Sequence, residues 1–321
     1  MYEYGLLLLD NNDPERQKES AQYFKNAADK GNINAMNDYG CMLREGNIIP
    51  ADKPKAAQYL KESADQGNIY AMYNYALMLH KGDGIPENKE EAAKYLKKSA
   101  DLGNNYSMFN YGVLLYNGDG VAVDKKEAAK YFKQASDEGN TNAMNNYANM
   151  LRDGDGIEQD KKLAAQYYKN AADKGNNYSM YNYGVMLHDG EGIEQDKKEA
   201  ARFYKMSADT GDTLAMYEYG KALLNGDGCE TNKKEATKYL LKSAIEGARD
   251  SQVNPDDAKD NTYVENNKTD DNNQTNSEWK SVISCDPSEI PDDIMFSMSS
   301  VNPDEIPDDI TISMSSFDHL D

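Results

Sequence analysis

Apolar positions along residues 1 to 248 recur in a fixed frame, with a period of 36 residues after a first interval of 35. Met1, Met36, Met72, Met108, Met144, Met180 and Met216 are each followed three positions later by Tyr and four positions later by Gly or Ala. In the copy with Met180, Tyr183, Gly184 and Leu187, these residues fall at i, i+3, i+4 and i+7, the stripe of an amphipathic helix. Gly or Ala on that stripe lets a neighbouring helix come close. A polar turn with paired glycines follows, as in Gly154-Asp155-Gly156 and Gly190-Glu191-Gly192, where positive φ costs glycine little. A second helix is then predicted from capping boxes: Asn88 with Glu91, Asp124 with Glu127, Asp196 with Glu199 and Asn232 with Glu235. Its inner face carries small residues and one ring, such as Ala128, Ala129, Phe132 and Ala135. A second glycine series (Gly31, Gly67, Gly103, Gly139, Gly175, Gly211, Gly247) is expected to end it at C′.

One such hairpin cannot bury its own apolar face, so seven in tandem predict a stacked array with a continuous core. The fold class is all-α: a right-handed α-solenoid of about seven 36-residue helix-turn-helix units over residues 1–248. Met1 falls mid-way along the first helix of its unit, without the Gly-Asn segment that precedes later copies. The first unit is therefore expected to be truncated at its start, or the chain to be the C-terminal part of a larger protein.

The succession Ala/Ser-Met-x-x-Tyr-Gly, Gly-x-Gly-Ile/Val and Asp-Lys-Lys-Glu-Ala-Ala-x-Tyr-Phe-Lys-x-Ala-x-Asp-x-Gly resembles the Sel1-like repeat family, a relative of the tetratricopeptide repeats. The first unit departs from it with Asp10-Asn11-Asn12-Asp13-Pro14, and the second has Ile48 where the other turn glycine belongs. With at most one Cys per unit, the chain does not match the family's cysteine-rich branch. The resemblance implies a scaffold or adaptor that binds other proteins.

Net charge is −21, but it is unevenly spread: residues 249–321 hold 18 acids against 4 bases, the first 248 hold 38 against 31. No basic cluster suits a nucleic acid. No apolar run reaches the roughly 18 to 20 residues that span a bilayer, and Glu3 stands where a signal peptide needs bases. Three scattered cysteines argue for a reducing compartment, so a cytoplasmic location is expected.

In related tetratricopeptide hairpins, first-helix positions beside the packing stripe line a concave groove. Counted from each Met at +1, +5, +8 and +9, these are Tyr73, Leu77, His80, Lys81; Phe109, Val113, Tyr116, Asn117; Asn145, Asn149, Arg152, Asp153; and Tyr181, Val185, His188, Asp189. An Asn series runs at +2: Asn74, Asn110, Asn146 and Asn182. Solvent-facing rings at +1 beside amides suit an extended peptide, the ring burying a side chain and the amide bonding the peptide backbone. Duplication of a surface residue would give the same series.

No catalytic or cofactor site is expected. His80 and His188, three units apart, cannot share a metal. The acidic turns lack a calcium-loop pattern, and neither a phosphate loop nor a Ser-His-Asp or Cys-His set appears. The tail, 249–321, is Asn/Asp/Ser-rich and expected to be disordered. It holds a tandem motif at 286–300 and 302–316, centred on Ile290-Pro291-Asp292-Asp293-Ile294 and Ile306-Pro307-Asp308-Asp309-Ile310. It reads as duplication or as a short linear motif for a partner or for the groove. The glycosylation sequons at Asn267 and Asn273 matter only in a secreted chain. The expected function is a non-catalytic interaction scaffold or adaptor. The alternatives are the regulatory arm of a larger enzyme such as a protein kinase, and an adaptor in membrane-associated protein degradation.

Overall fold

A computed structural model of the chain describes residues 1–9 and 13–252, with backbone only for 248–252. The described residues form fourteen helices: α1 Tyr2–Leu9, α2 Pro14–Ala28, α3 Ile33–Glu45, α4 Lys53–Asp65, α5 Ile69–Lys81, α6 Lys89–Asp101, α7 Asn105–Asn117, α8 Lys125–Asp137, α9 Thr141–Asp153, α10 Lys161–Asp173, α11 Asn177–Asp189, α12 Lys197–Asp209, α13 Thr213–Asn225 and α14 Lys233–Gln252. No strand occurs among them, and each successive pair is one hairpin of an α-solenoid. None of the described helices is long and apolar enough to cross a membrane. The tandem tail motif lies outside the described residues. Among the described residues two compact units separate within α11, one of Met1–Tyr183 with Glu191–Ile193, the other of Gly184–Gly190 with residues 194–252.

Short links, such as Gln66-Gly67-Asn68 between α4 and α5, explain why the chain reverses so regularly. The N–H of Gly67 bonds Ala64 O (3.0 Å) and that of Asn68 bonds Ser63 O (3.1 Å), the paired bonds of a Schellman stop that needs the positive φ of Gly67. Asn68 then turns its side-chain oxygen to the N–H groups of Tyr70 and Ala71 and starts α5. One Gly-Asn step thus closes one hairpin and opens the next. Gly247 is the exception: it lies inside α14, which runs on to Gln252. Ala248 follows it where the other copies have Asn or Asp, so the side-chain cap of the other links is missing at this step.

Capping of the second helices also differs from the expected box. Asp124 Oδ1 does accept from Glu127 N (2.9 Å). Its own N–H, which a box would give to the Glu side chain, goes to Leu115 O in α7 (2.8 Å). Asn88, Asp160, Asp196 and Asn232 bond Leu79, Leu151, Leu187 and Leu223 in the same way. The stripe leucine therefore ties the end of the first helix to the start of the second.

Close packing within a hairpin depends on the stripe glycine. A Cβ on Gly112 would sit 2.8 Å from the Phe132 ring, and one on Gly40 or Gly220 equally near Leu60 or Leu240. Beside it, Tyr111 and Tyr131 meet edge to face at 5.0 Å, Tyr219 and Tyr239 at 5.0 Å, Tyr75 and Tyr95 at 5.1 Å, and Tyr39 and Tyr59 at 5.2 Å. The second-helix tyrosine then reaches back to the preceding hairpin. Tyr59, Tyr95, Tyr131 and Tyr239 donate to Asp29, Asp65, Asp101 and Asp209, which also hold Lys25, Lys61, Lys97 and Lys205. Burial and the Asp101 bond raise the Tyr131 hydroxyl to about 12. Replacing Tyr131 with Phe removes this tie but keeps the ring contact. The urea midpoint should fall by an amount equivalent to about 0.5–1.5 kcal/mol.

Candidate functional site

Each Gly-x-Gly turn presents its middle acid to the hairpin before it. Asp83 takes Arg44 (2.9 Å) and Lys53 (2.6 Å); Asp119 takes His80 (2.6 Å) and Lys89 (3.0 Å). Asp155 takes the Tyr116 hydroxyl and Lys125 (both 2.7 Å), and Glu191 takes Lys161. In the second unit Asp227 takes His188 and Lys197, both at 3.0 Å. The turn glycine after the acid lies on the same lysine: a Cβ on Gly84 would meet Lys53 Cβ at 2.2 Å, and one on Gly120 would meet Lys89 O at 2.4 Å. The +8 positions expected to face a peptide are in this way joined to the following turn at His80, Tyr116 and His188. Arg152 forks onto its neighbour Asp153 instead.

These staples make stability depend on acid. Partial burial pushes Asp83, Asp119 and Asp155 up, but Lys53 with Arg44, Lys89 with His80, and Lys125 with Tyr116 outweigh it, so each lies below the ordinary carboxylate range. At Asp227 the bonds from Lys197 and His188 dominate, in the same direction. A carboxylate lowered by folding stabilises fully above its unfolded value of about 4 and loses that contribution as pH falls through the folded value. The thermal midpoint should therefore hold down to about pH 5 and drop below about pH 4, and Asp119→Asn with Asp155→Asn should flatten the drop. Circular dichroism melts across pH check this. His188 has the opposite sign. Both its ring nitrogens face carboxylates, Asp189 and Asp227, and the Asp189 bond leads in raising it against burial. Its contribution is complete below about pH 6.5 and fades as pH rises through the folded value.

Much of the Asn series ties one hairpin to the next. Asn74 donates to Asn37 Oδ1 (3.0 Å) and Cys41 Sγ (3.2 Å). Asn182 donates to Asn145 Oδ1 (3.0 Å), which also accepts from Ser179. Asn145 is buried for that reason, and Asn146 is half-buried beside Tyr116 and Phe132. The +1 rings are less exposed than their spacing suggests. Phe109 is 6% exposed, with its ring 5.9 Å from Phe132, and Tyr73 and Tyr181 are half-buried. The hairpins pack closely enough that +1 belongs partly to the interface.

Five of the expected groove residues, Leu77 and Lys81 among them, meet at one opening. Tyr73, Phe109 and Asn110 line a cavity of about 480 Å³ with Leu77, Tyr106, Arg44, Lys81 and the start of α9. Asn110 is 4% exposed; its Nδ2 donates to Tyr106 O (2.8 Å) and its amide also meets the Tyr73 hydroxyl, while its Oδ1 has no hydrogen-bond partner among the described residues. Tyr106 stands 59% exposed at this opening, its ring 6.1 Å from Tyr73. It was not among the sequence candidates, although Tyr70, Tyr106 and Tyr178 form a series two residues before the Met. No group of three or more His, Cys, Asp or Glu suited to a metal ion occurs among the described residues.

The Sel1 repeat family model matches residues 1–32, 33–68, 69–104, 105–140, 141–176, 177–212 and 213–247. Among solved structures, a protective antigen of uropathogenic Escherichia coli displaying an SLR fold is 26% identical with a TM-score of 0.71, over 78% of this chain and 54% of that one. The chain thus spans about half the length of that antigen. A Sel1 repeat protein from Oxalobacter formigenes is 25% identical with a TM-score of 0.68, over 74% of this chain and 96% of that one. No curated protein matches. Sel1 repeat solenoids are generally non-catalytic and mediate protein–protein interaction. Seven consecutive matches over residues 1–247 place the chain in a family, and it belongs to the Sel1 repeat proteins.

Proposed function

We propose that the chain is a non-catalytic scaffold or adaptor that binds extended peptide segments of other proteins along the concave groove of its first helices, with the Tyr73–Asn110 cavity as anchor point. The observation that carries this reading is the unpartnered Asn110 Oδ1 beside apolar walls and an exposed ring. A buried acceptor without a donor costs about 1–3 kcal/mol, and an extended peptide supplies one main-chain N–H per non-proline residue. A side chain of that peptide would lie against Tyr73, Leu77 and Phe109. The family's general role in protein–protein interaction supports the same reading.

Panning a random linear peptide library against the full chain tests it. Enriched peptides should share an apolar residue and exclude proline at one neighbouring position; no enrichment would overturn the proposal. Asn110→Leu separates binding from folding, because it removes the spare buried acceptor, which is the peptide's partner, and loses in exchange only the Nδ2 bond to Tyr106 O and the amide contact with the Tyr73 hydroxyl. The thermal midpoint should stay the same or rise slightly, while affinity for an enriched peptide falls at least about tenfold, near 1.4 kcal/mol.

A further inference from the structure

We infer that the occupant of the Tyr73–Asn110 cavity in the free protein is the chain's own tail, through one of its two Ile-Pro-Asp-Asp-Ile copies. This rests on the peptide-binding reading above and adds a regulatory consequence: outside peptides must displace the tail. The cavity is of ligand size and apolar on the side of Tyr73, Leu77 and Phe109, and its charged lining is Arg44, which also holds Asp83, and Lys81, with one carboxylate, Glu138. The tail copies match this composition. Each sets two branched aliphatic side chains around a pair of aspartates, Ile290 and Ile294 around Asp292-Asp293, and Ile306 and Ile310 around Asp308-Asp309. Every residue of a copy except its proline brings a main-chain N–H that can meet Asn110 Oδ1. The proline lowers the conformational entropy lost on docking.

Tethering favours this occupant over a free peptide of equal chemistry. The chain continues for 69 residues beyond Gln252, and the first copy begins 38 residues after it. At about 3.3 Å per extended residue, that stretch reaches roughly 130 Å, and a linked segment acts at an effective concentration near the millimolar range. Two copies sixteen residues apart roughly double the effective concentration of the segment. A segment that binds with only modest intrinsic affinity would then hold the cavity most of the time.

The test uses the full chain and a full-length variant with Ile290→Ser, Ile294→Ser, Ile306→Ser and Ile310→Ser, changes confined to the tail. A fluorescent synthetic peptide copying residues 286–300 is titrated into each and read by anisotropy. The variant should bind about tenfold more tightly than the unmodified chain, whose own tail competes. Adding Tyr106→Ala to the variant should remove most of the binding; Asn110→Leu provides a second groove change. Equal affinity for both chains overturns docking in cis. So does competition that grows with protein concentration, which would mark one chain's tail entering another's groove. Binding that survives both groove changes overturns the location. If the tail peptide binds neither chain while library peptides still bind and need Asn110, the tail proposal falls and the groove reading stands.

Discussion

Replacing Gly120 with alanine should destabilise the solenoid by about 2–5 kcal/mol, through left-handed strain of about 1–2 and overpacking of about 1–3. Gly120 has a φ of +71°, and its added Cβ would lie 2.4 Å from Lys89 O and 2.5 Å from Lys89 C. These are backbone atoms at the first turn of α6, so no side chain can swing away to make room. The same lysine holds Asp119, and shifting the turn would loosen that ion pair as well. Gly103→Ala is the matched control. Its φ is +98° with nothing within 4 Å of the new Cβ, so only the backbone strain applies. Because repeat arrays can unfold in parts, urea midpoints by circular dichroism should be paired with hydrogen exchange of α6 and α7. A Gly120→Ala shift no larger than that of Gly103→Ala would show that the turn does not sit as closely on the preceding hairpin as the geometry requires.

Tyr106→Ala should weaken binding of a groove peptide by about 10- to 100-fold while leaving the fold almost unchanged. Exposed tyrosines at the mouth of an apolar cavity are frequent binding hot spots, and a loss of about 1.4 kcal/mol accounts for each factor of ten. The ring contributes little to folding: it is 59% exposed and meets the Tyr73 ring at 6.1 Å. Surface changes of this kind usually move stability by less than about 0.5 kcal/mol. Tyr70 is equally exposed and does not line the cavity, so Tyr70→Ala should leave affinity unchanged. Calorimetric titration of an enriched library peptide into the three chains checks this. Equal losses for Tyr70→Ala and Tyr106→Ala would contradict a localised anchor.

The hairpins were legible because Met, Tyr, Gly or Ala, and Leu keep helical spacing in every copy, and their packing partners lie within one period. The partners of the +8 residues were not legible from one unit. Arg44, His80, Tyr116 and His188 bond acids 39 residues onward, in the turn of the following hairpin. That pairing links one residue of each copy to one of the next, whereas helical periodicity reports only neighbours on the same helix. Counting forward from Met also missed Tyr106, which precedes Met108 and comes to the cavity through the start of α7. The helical run through Gly247 had a visible cue in Ala248, which replaces the Asn or Asp cap of the other copies. The spare oxygen of Asn110 had none, since it depends on how Tyr106 positions its carbonyl.

Hydrogen exchange on the full chain, with and without a saturating peptide from library panning, tests the groove most directly. Protection should increase at residues 73–81, 105–110 and 139–142, which bring α5, α7 and the start of α9 to the cavity. A footprint confined to the second helices α4, α6 and α8, with those three segments unchanged, would contradict it.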